Sequence, residues 1–193
     1  MIDYIKGPVT RITPAFMVVE TGGVGYFINI SLVTFSKLEH KSEYKVLIHE
    51  VIREDTHQLF GFADEEEREI FRLLISVTGV GASTARMVLS SLQPQEIERA
   101  ITTSDVNVLK SVKGIGLKTA QRIIVDLRDK VGKVTSGSEI FSISDNTNRD
   151  EALSALVMLG FAKSAVIKVL DKITREEKNL TVEDMIRKAL KNL

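Results

Sequence analysis

The 193 residues contain no cysteine. Disulfides, thiolate–zinc sites and a cysteine nucleophile are therefore excluded, and three scattered histidines do not make a metal site by themselves. No metal and no cofactor is expected. Proline is scarce, with three in all and none beyond Pro94. Long hydrophobic runs are missing as well: nothing approaches the roughly 20 apolar residues that cross a bilayer. The opening MIDYIKGPVT lacks a basic segment followed by an apolar one, so the expectation is a cytoplasmic protein without membrane contact. There is no G-x-x-x-x-G-K-[ST] phosphate loop, which argues against an autonomous ATP-driven helicase. An excess of charge is lacking too, with 26 basic residues against 26 acidic ones. What remains, 44% apolar and 27% charged residues, is ordinary for a packed globular protein.

The neutral total hides a local imbalance. Between residues 106 and 133 lie Lys110, Lys113, Lys118, Arg122, Arg128, Lys130 and Lys133, opposed only by Asp126 and Asp129. Phosphates respond to local charge and not to the sum over the chain. By itself such a run is more often a solvated helix face.

Periodicity divides the chain into regions. Ile2 to Thr13, Phe16 to Thr21, Tyr26 to Ser31, Tyr44 to Arg53 and Gln58 to Phe62 are rich in β-branched and aromatic residues and read as strands. Gly22 to Gly25 forms a hairpin turn, and Glu54-Asp55-Thr56-His57 a polar tip. Five short strands in about 60 residues suit a small OB-fold barrel. Phe60 and Phe62 fall at strand-core positions, which leaves a single-strand-binding barrel without visible stacking aromatics. From Asp64 the pattern turns helical. Glu65, Glu66, Glu67 and Glu69 crowd the first turn, where carboxylates complement the dipole, and Ile70, Phe71, Leu74 and Ile75 form an apolar face. Residues 134–148, rich in Ser, Thr, Asn and Gly, read as a flexible linker. Beyond it, Asn148 and Thr181 look like N-caps and Gly160 like a helix stop, giving a three-helix domain over 149–193.

One internal repeat has a period of 35 residues. Leu74, Val77, Gly79, Val80, Gly81, Thr84, Ala85 and Val88 align with Leu109, Val112, Gly114, Ile115, Gly116, Thr119, Ala120 and Ile123. Each copy reads as a helix, a Gly-hydrophobic-Gly hairpin, and a second helix starting near Ser83 or Lys118. The two glycines are expected to take positive torsions and admit close approach, with the residue between them plugging the helix pair. The second helix then aims free N–H groups outward, where orphan donors and the dipole bind phosphate without reading bases. One copy is a common tight turn. Two copies at matched offsets, the second flanked by Lys113, Lys118 and Arg122, point to a DNA backbone.

Taken in order, VETGGVGYFINI, VIREDTHQLFGF, LISVTGVG, LKSVKGIGLKTAQRIIVDLRDK and LVMLGFAKSAVIKVL resemble the RuvA family over essentially the whole chain. The resemblance implies a multidomain α+β protein. Its parts are an OB-fold barrel over 1–63, a tandem helix-hairpin-helix domain over 64–133, a linker over 134–148 and a mobile three-helix, UBA-like domain over 149–193. It implies a non-catalytic subunit that holds a four-way (Holliday) junction open as a homotetramer, singly or as two tetramers stacked into an octamer. A RuvB-type hexameric ATPase and the resolvase RuvC are its implied protein partners, and the nucleoid its implied place. Carried over residue by residue, DNA contact falls on Gly79, Val80, Gly81, Ser83 and Thr84, and on Gly114, Ile115, Gly116, Lys118, Thr119 and Arg122. Ser83 and Leu117 stand where close relatives carry lysine. An acidic pin falls on Glu54 and Asp55, and an apolar motor-docking surface on Leu156, Leu159, Phe161 and Leu190. A base-excision glycosylase, which shares only the hairpin, needs a Gly/Pro-rich loop after it that this chain lacks.

Overall fold

The structure, a computed structural model, describes residues 1–40, 42–131, 146–177 and 180–193. It divides into two units, Met1–Ser138 and Glu139–Leu193, and each is described by itself.

The first unit opens with β1 (Tyr4–Ile12), β2 (Phe16–Thr21), β3 (Val24–Ile30), α1 (Leu32–Leu38), β4 (Glu43–Ile52) and β5 (His57–Phe62). The strands close into a barrel in the order β1-β2-β3-β5-β4. Alternation drives the closure: Met17 and Val19, Ile28 and Ile30, and Val46 and Ile48 all point inward and are buried, while their neighbours face outward. Helix α1 carries the chain from β3 to β4, so that β3 pairs with β5 in parallel while the other pairings are antiparallel.

Helix α1 is absent from the sequence expectation. Seven residues that include Val33 and Thr34 lie far below the length at which a helix is stable alone. It is held by tertiary packing, with Val33 and Leu38 buried and Ser31 capping it by accepting from the Thr34 amide at 3.0 Å.

Helix α2 (Glu65–Ile75) starts where the sequence places it, capped by Asp64, which accepts from the Glu67 amide at 3.0 Å. Its apolar face roofs the barrel: the Phe71 ring lies 5.2 Å from Phe60 and 4.9 Å from Phe62. Those contacts merge one side of the barrel with the helices α3 (Ala82–Ser91), α4 (Pro94–Thr102), α5 (Val106–Lys110) and α6 (Leu117–Val131) in a common core. Not every first-turn glutamate serves the dipole. Glu67 is fully buried, where it accepts from Ser31 Oγ and from Thr34 Oγ1 at 2.7 Å. Arg68, also buried, reaches Asp3 at 2.8 Å and Glu65 at 2.6 Å.

The second unit holds α7 (Asn146–Met158), α8 (Lys163–Glu176) and α9 (Val182–Leu190) around Ala152, Leu156, Val166, Leu170, Met185 and Ala189. Asn148 is not the N-cap expected of it. Helix α7 already begins at Asn146, and the Asn148 side chain donates from Nδ2 to the Leu180 carbonyl at 3.1 Å instead. Of the expected linker, 134–145 lie outside the described residues and 146–148 are helical. Gly160 does end α7. At φ +99° it adopts the left-handed turn that side chains resist, with Gly160 N–H donating to Val157 and Phe161 N–H to Leu156. Thr181 caps α9 as expected, accepting from the Asp184 amide at 3.2 Å.

Candidate nucleic-acid interface

The two hairpins match bond for bond. The Ser76 and Ser111 hydroxyls donate to Leu73 and Val108 carbonyls, both at 2.7 Å. Val77 and Val112 amides donate to Leu74 and Leu109, and Val80 and Ile115 amides to Val77 and Val112. Gly79 and Gly114 take φ of +94° and +92°. Val80 and Ile115 are each 5% exposed and plug the space between the helices as expected.

The second glycine of each motif departs from expectation. Gly81 is an N-cap with φ −86°, and Gly116 also lies outside the left-handed region. Only the first glycine is demanded by torsion. At Gly81 and Gly116 an added Cβ would meet nothing within 4 Å, so packing within the chain does not demand glycine there either. What the missing side chain leaves is free access to the backbone.

That backbone leads into the first turns of two helices. Helix α3 has no side-chain cap, and Ala85 N–H to the Gly81 carbonyl and Ala120 N–H to the Gly116 carbonyl, both 2.9 Å, follow the first turns of α3 and α6. The amides of residues 82–84 and 117–119 precede them, where a helix leaves its donors to external acceptors. Ser83 and Lys118 are exposed beside these amides, and Thr84 and Thr119 are half-buried. Lys113 is exposed on the second hairpin, whereas no cation occupies the matching position of the first, which is Thr78.

Arg122 holds a position that sequence reasoning did not foresee. Its Nη1 donates to the Thr78 carbonyl of the first hairpin at 3.3 Å, linking the two hairpins while the rest of the exposed guanidinium stays free to face an anion. Arg86 was missed altogether. From α3 it donates to the Ala15 carbonyl at 2.8 Å and to Asn29 Oδ1 at 3.3 Å, fastening the first hairpin's helix to the barrel. A single arginine in an unremarkable helix offers no signal of such a long-range contact.

Glu54 and Asp55 are exposed in a tight turn between β4 and β5, closed by Arg53 N–H donating to Thr56 at 2.8 Å. His57 belongs to β5 and not to the tip. Its Nε2 meets Glu50 Oε1 at 2.8 Å, and together with the Ile2 amide it holds the Glu50 carboxyl below its usual range.

The four apolar residues of the second unit separate. Leu156 is fully buried, and so belongs to the core and not to a docking surface. Phe161 is half-buried against that core. Leu159 at 62% and Leu190 at 45% are exposed, as is Met158 at 88%. Among the described residues no group of three or more metal-ligating side chains occurs, and no helix is long and apolar enough to cross a membrane.

Three family models match the chain: the RuvA N terminal domain over residues 1–61, a SAM-like helix-hairpin-helix tandem over 71–129, and the RuvA C-terminal domain over 147–193. Among curated proteins the chain is 53% identical to the Holliday junction branch migration complex subunit RuvA of Christiangramia forsetii, over the full length of both. The proteins of the same name from Bacteroides thetaiotaomicron and Flavobacterium psychrophilum are 48% and 47% identical, again over the full length of both chains.

Proposed function

Since the chain belongs to the RuvA family, we propose that it is the non-catalytic DNA-binding subunit of a Holliday junction branch-migration complex. The observation that carries the reading is the duplicated hairpin, with two helix N-termini, each behind a glycine that bares its backbone, the first of them without a side-chain cap. Such a pair binds the sugar-phosphate chain by shape and charge and is indifferent to sequence.

In this reading four copies surround one junction, as a single tetramer or as a stacked pair of tetramers. Gly79 to Gly81 with Ser83 and Thr84, and Gly114 to Gly116 with Lys118, Thr119 and Arg122, hold the arms. Glu54 and Asp55 of each copy stand at the crossover and keep the strands apart. The second unit offers Leu159, Phe161 and Leu190 to a RuvB-type hexameric ATPase, which supplies the hydrolysis for which this chain has no phosphate loop. The resolvase RuvC acts on the same junction, in the cytoplasm at the nucleoid, in recombination and repair.

The test compares affinity for an immobile four-way junction with that for a duplex and a single strand of the same sequences, while following particle size. Junction preference of at least tenfold and assembly of four copies are expected. Equal affinity for junction and duplex, or a strong sequence preference, would overturn the reading.

A further inference from the structure

The outer face of the barrel carries an aromatic pair that the core does not use. Met17, Val19, Ile28 and Ile30 fill the interior, while Phe16 and Phe27 stand on the opposite faces of β2 and β3. Their rings stack with centroids 4.6 Å apart and planes 25° from parallel. Phe27 remains 54% exposed. The Arg11 guanidinium lies 5.0 Å from the centre of Phe16. Because β2 runs between β1 and β3, the three side chains form a row, cation then ring then ring, with Phe27 at its open end. Asn29, opposite Phe16 in the register, is held by Arg86 of α3, so the row adjoins the helix that the first hairpin introduces.

A phenylalanine more than half in water, as Phe27 is, contributes little to folding, and stacked on the half-buried Phe16 with Arg11 beyond it makes a surface of definite chemistry. It suits a flat ring with a π-face, joined to an anion. Nucleobases on a phosphate backbone have that character: bases stack on aromatic side chains regardless of sequence, and a guanidinium draws the phosphate. The second and third strands are also the face on which barrels of this class take oligonucleotides. The one carboxylate on this face of β2, Glu20, lies at the end of the strand away from Phe16.

We propose that Arg11, Phe16 and Phe27 form a second nucleic-acid site, separate from the hairpins, which binds unpaired nucleotides of single-stranded DNA by stacking a base on Phe27. The hairpins hold backbone by amides, whereas this site needs a base free of its partner. The site stands on its own geometry and does not require the junction reading.

The chain contains no tryptophan, so Phe27→Trp places a single indole in the site. Adding a 20-nucleotide oligothymidylate to the full-length variant should quench its fluorescence. Phe27→Ala should weaken binding of labelled oligothymidylate about tenfold, with four-way-junction affinity and melting temperature unchanged. Arg11→Gln should lower the slope of log affinity against log salt by roughly 0.7 for the single strand. Absence of quenching, or an oligothymidylate affinity that Phe27→Ala leaves intact, would overturn the proposal. So would a change of particle size in Phe27→Ala, because the face would then be a contact between copies of the chain. The junction reading is tested by separate titrations and survives either result.

Discussion

A carboxylate sits where the barrel meets α2, and its environment has a measurable consequence. Burial pushes the Glu67 carboxyl above its ordinary value of 4.5, against the pull of the Ser31 and Thr34 hydroxyls. An acid whose folded pKa is raised binds its proton more tightly when folded. Its contribution is therefore fully favourable below about 4.5 and is lost as pH rises through the raised value. Thermal melts from pH 4 upward should show the stability difference between wild type and Glu67→Gln moving against the wild type as pH rises through the raised value. Glu67→Ala should cost on the order of 1–3 kcal/mol at every pH, since two buried hydroxyls lose their acceptor. An unchanged slope in the Gln variant would refute the assignment. The hairpin glycines allow a second test at this scale. Gly79→Ala forces a side chain to φ +94° and should cost about 1–2 kcal/mol in urea unfolding. Gly81→Ala, with open space and φ −86°, should cost about 1 kcal/mol or less. If the proposed backbone contact is right, it should nevertheless weaken junction binding, because its methyl would fill the space left open to a phosphate.

The hairpins and the β4–β5 turn are elements whose charges can be weighed. Lys118 is exposed at the start of α6, where it adds a point charge to the amides. Lys118→Ala should weaken junction binding equally for all sequences and lower the salt slope by about 1 for each phosphate no longer neutralised. A weakening confined to some sequences would mean that Lys118 reads bases. In the proposed reading Glu54 and Asp55 act with the opposite sign, since each would repel a phosphate a few ångströms away in water by about 1 kcal/mol. The double change Glu54→Gln and Asp55→Asn should leave the turn folded, since Arg53 and Thr56 close it through backbone atoms. It should tighten junction binding and alter both the discrimination against duplex and the rate of motor-driven migration. If all three stay as in the wild type, the tip is only a turn.

At the scale of the molecule, the proposed function gives the holding of DNA and the meeting of a partner to different units. Leu159 and Leu190 are exposed on the second, and their joint change to Ser should abolish stimulation of a RuvB-type ATPase while junction affinity stays normal. Leu156, in contrast, lies in the core of the same unit. Leu156→Ala should destabilise that unit by about 2–5 kcal/mol, which a separate melting transition would register. Stimulation retained in the Leu159/Leu190 variant would remove the docking role from this surface.

What the sequence determined by itself is what repeats or clusters along the chain. Runs of β-branched and aromatic residues between turns announced the barrel, and the helical period after Asp64 announced α2. The 35-residue repeat announced both hairpins, because each signal is carried by neighbours in the chain obeying one local geometry. Tertiary structure alone decided what depends on distant partners. Helix α1 exists because the barrel packs it, Glu67 left the surface because Ser31 and Thr34 offered hydroxyls, and Leu156 turned inward while Leu159 did not. The Phe16–Phe27 stack belongs with these. The sequence placed Arg11, Phe16 and Phe27 in strands, but only the closing of β1, β2 and β3 side by side brought two rings and a guanidinium into one row.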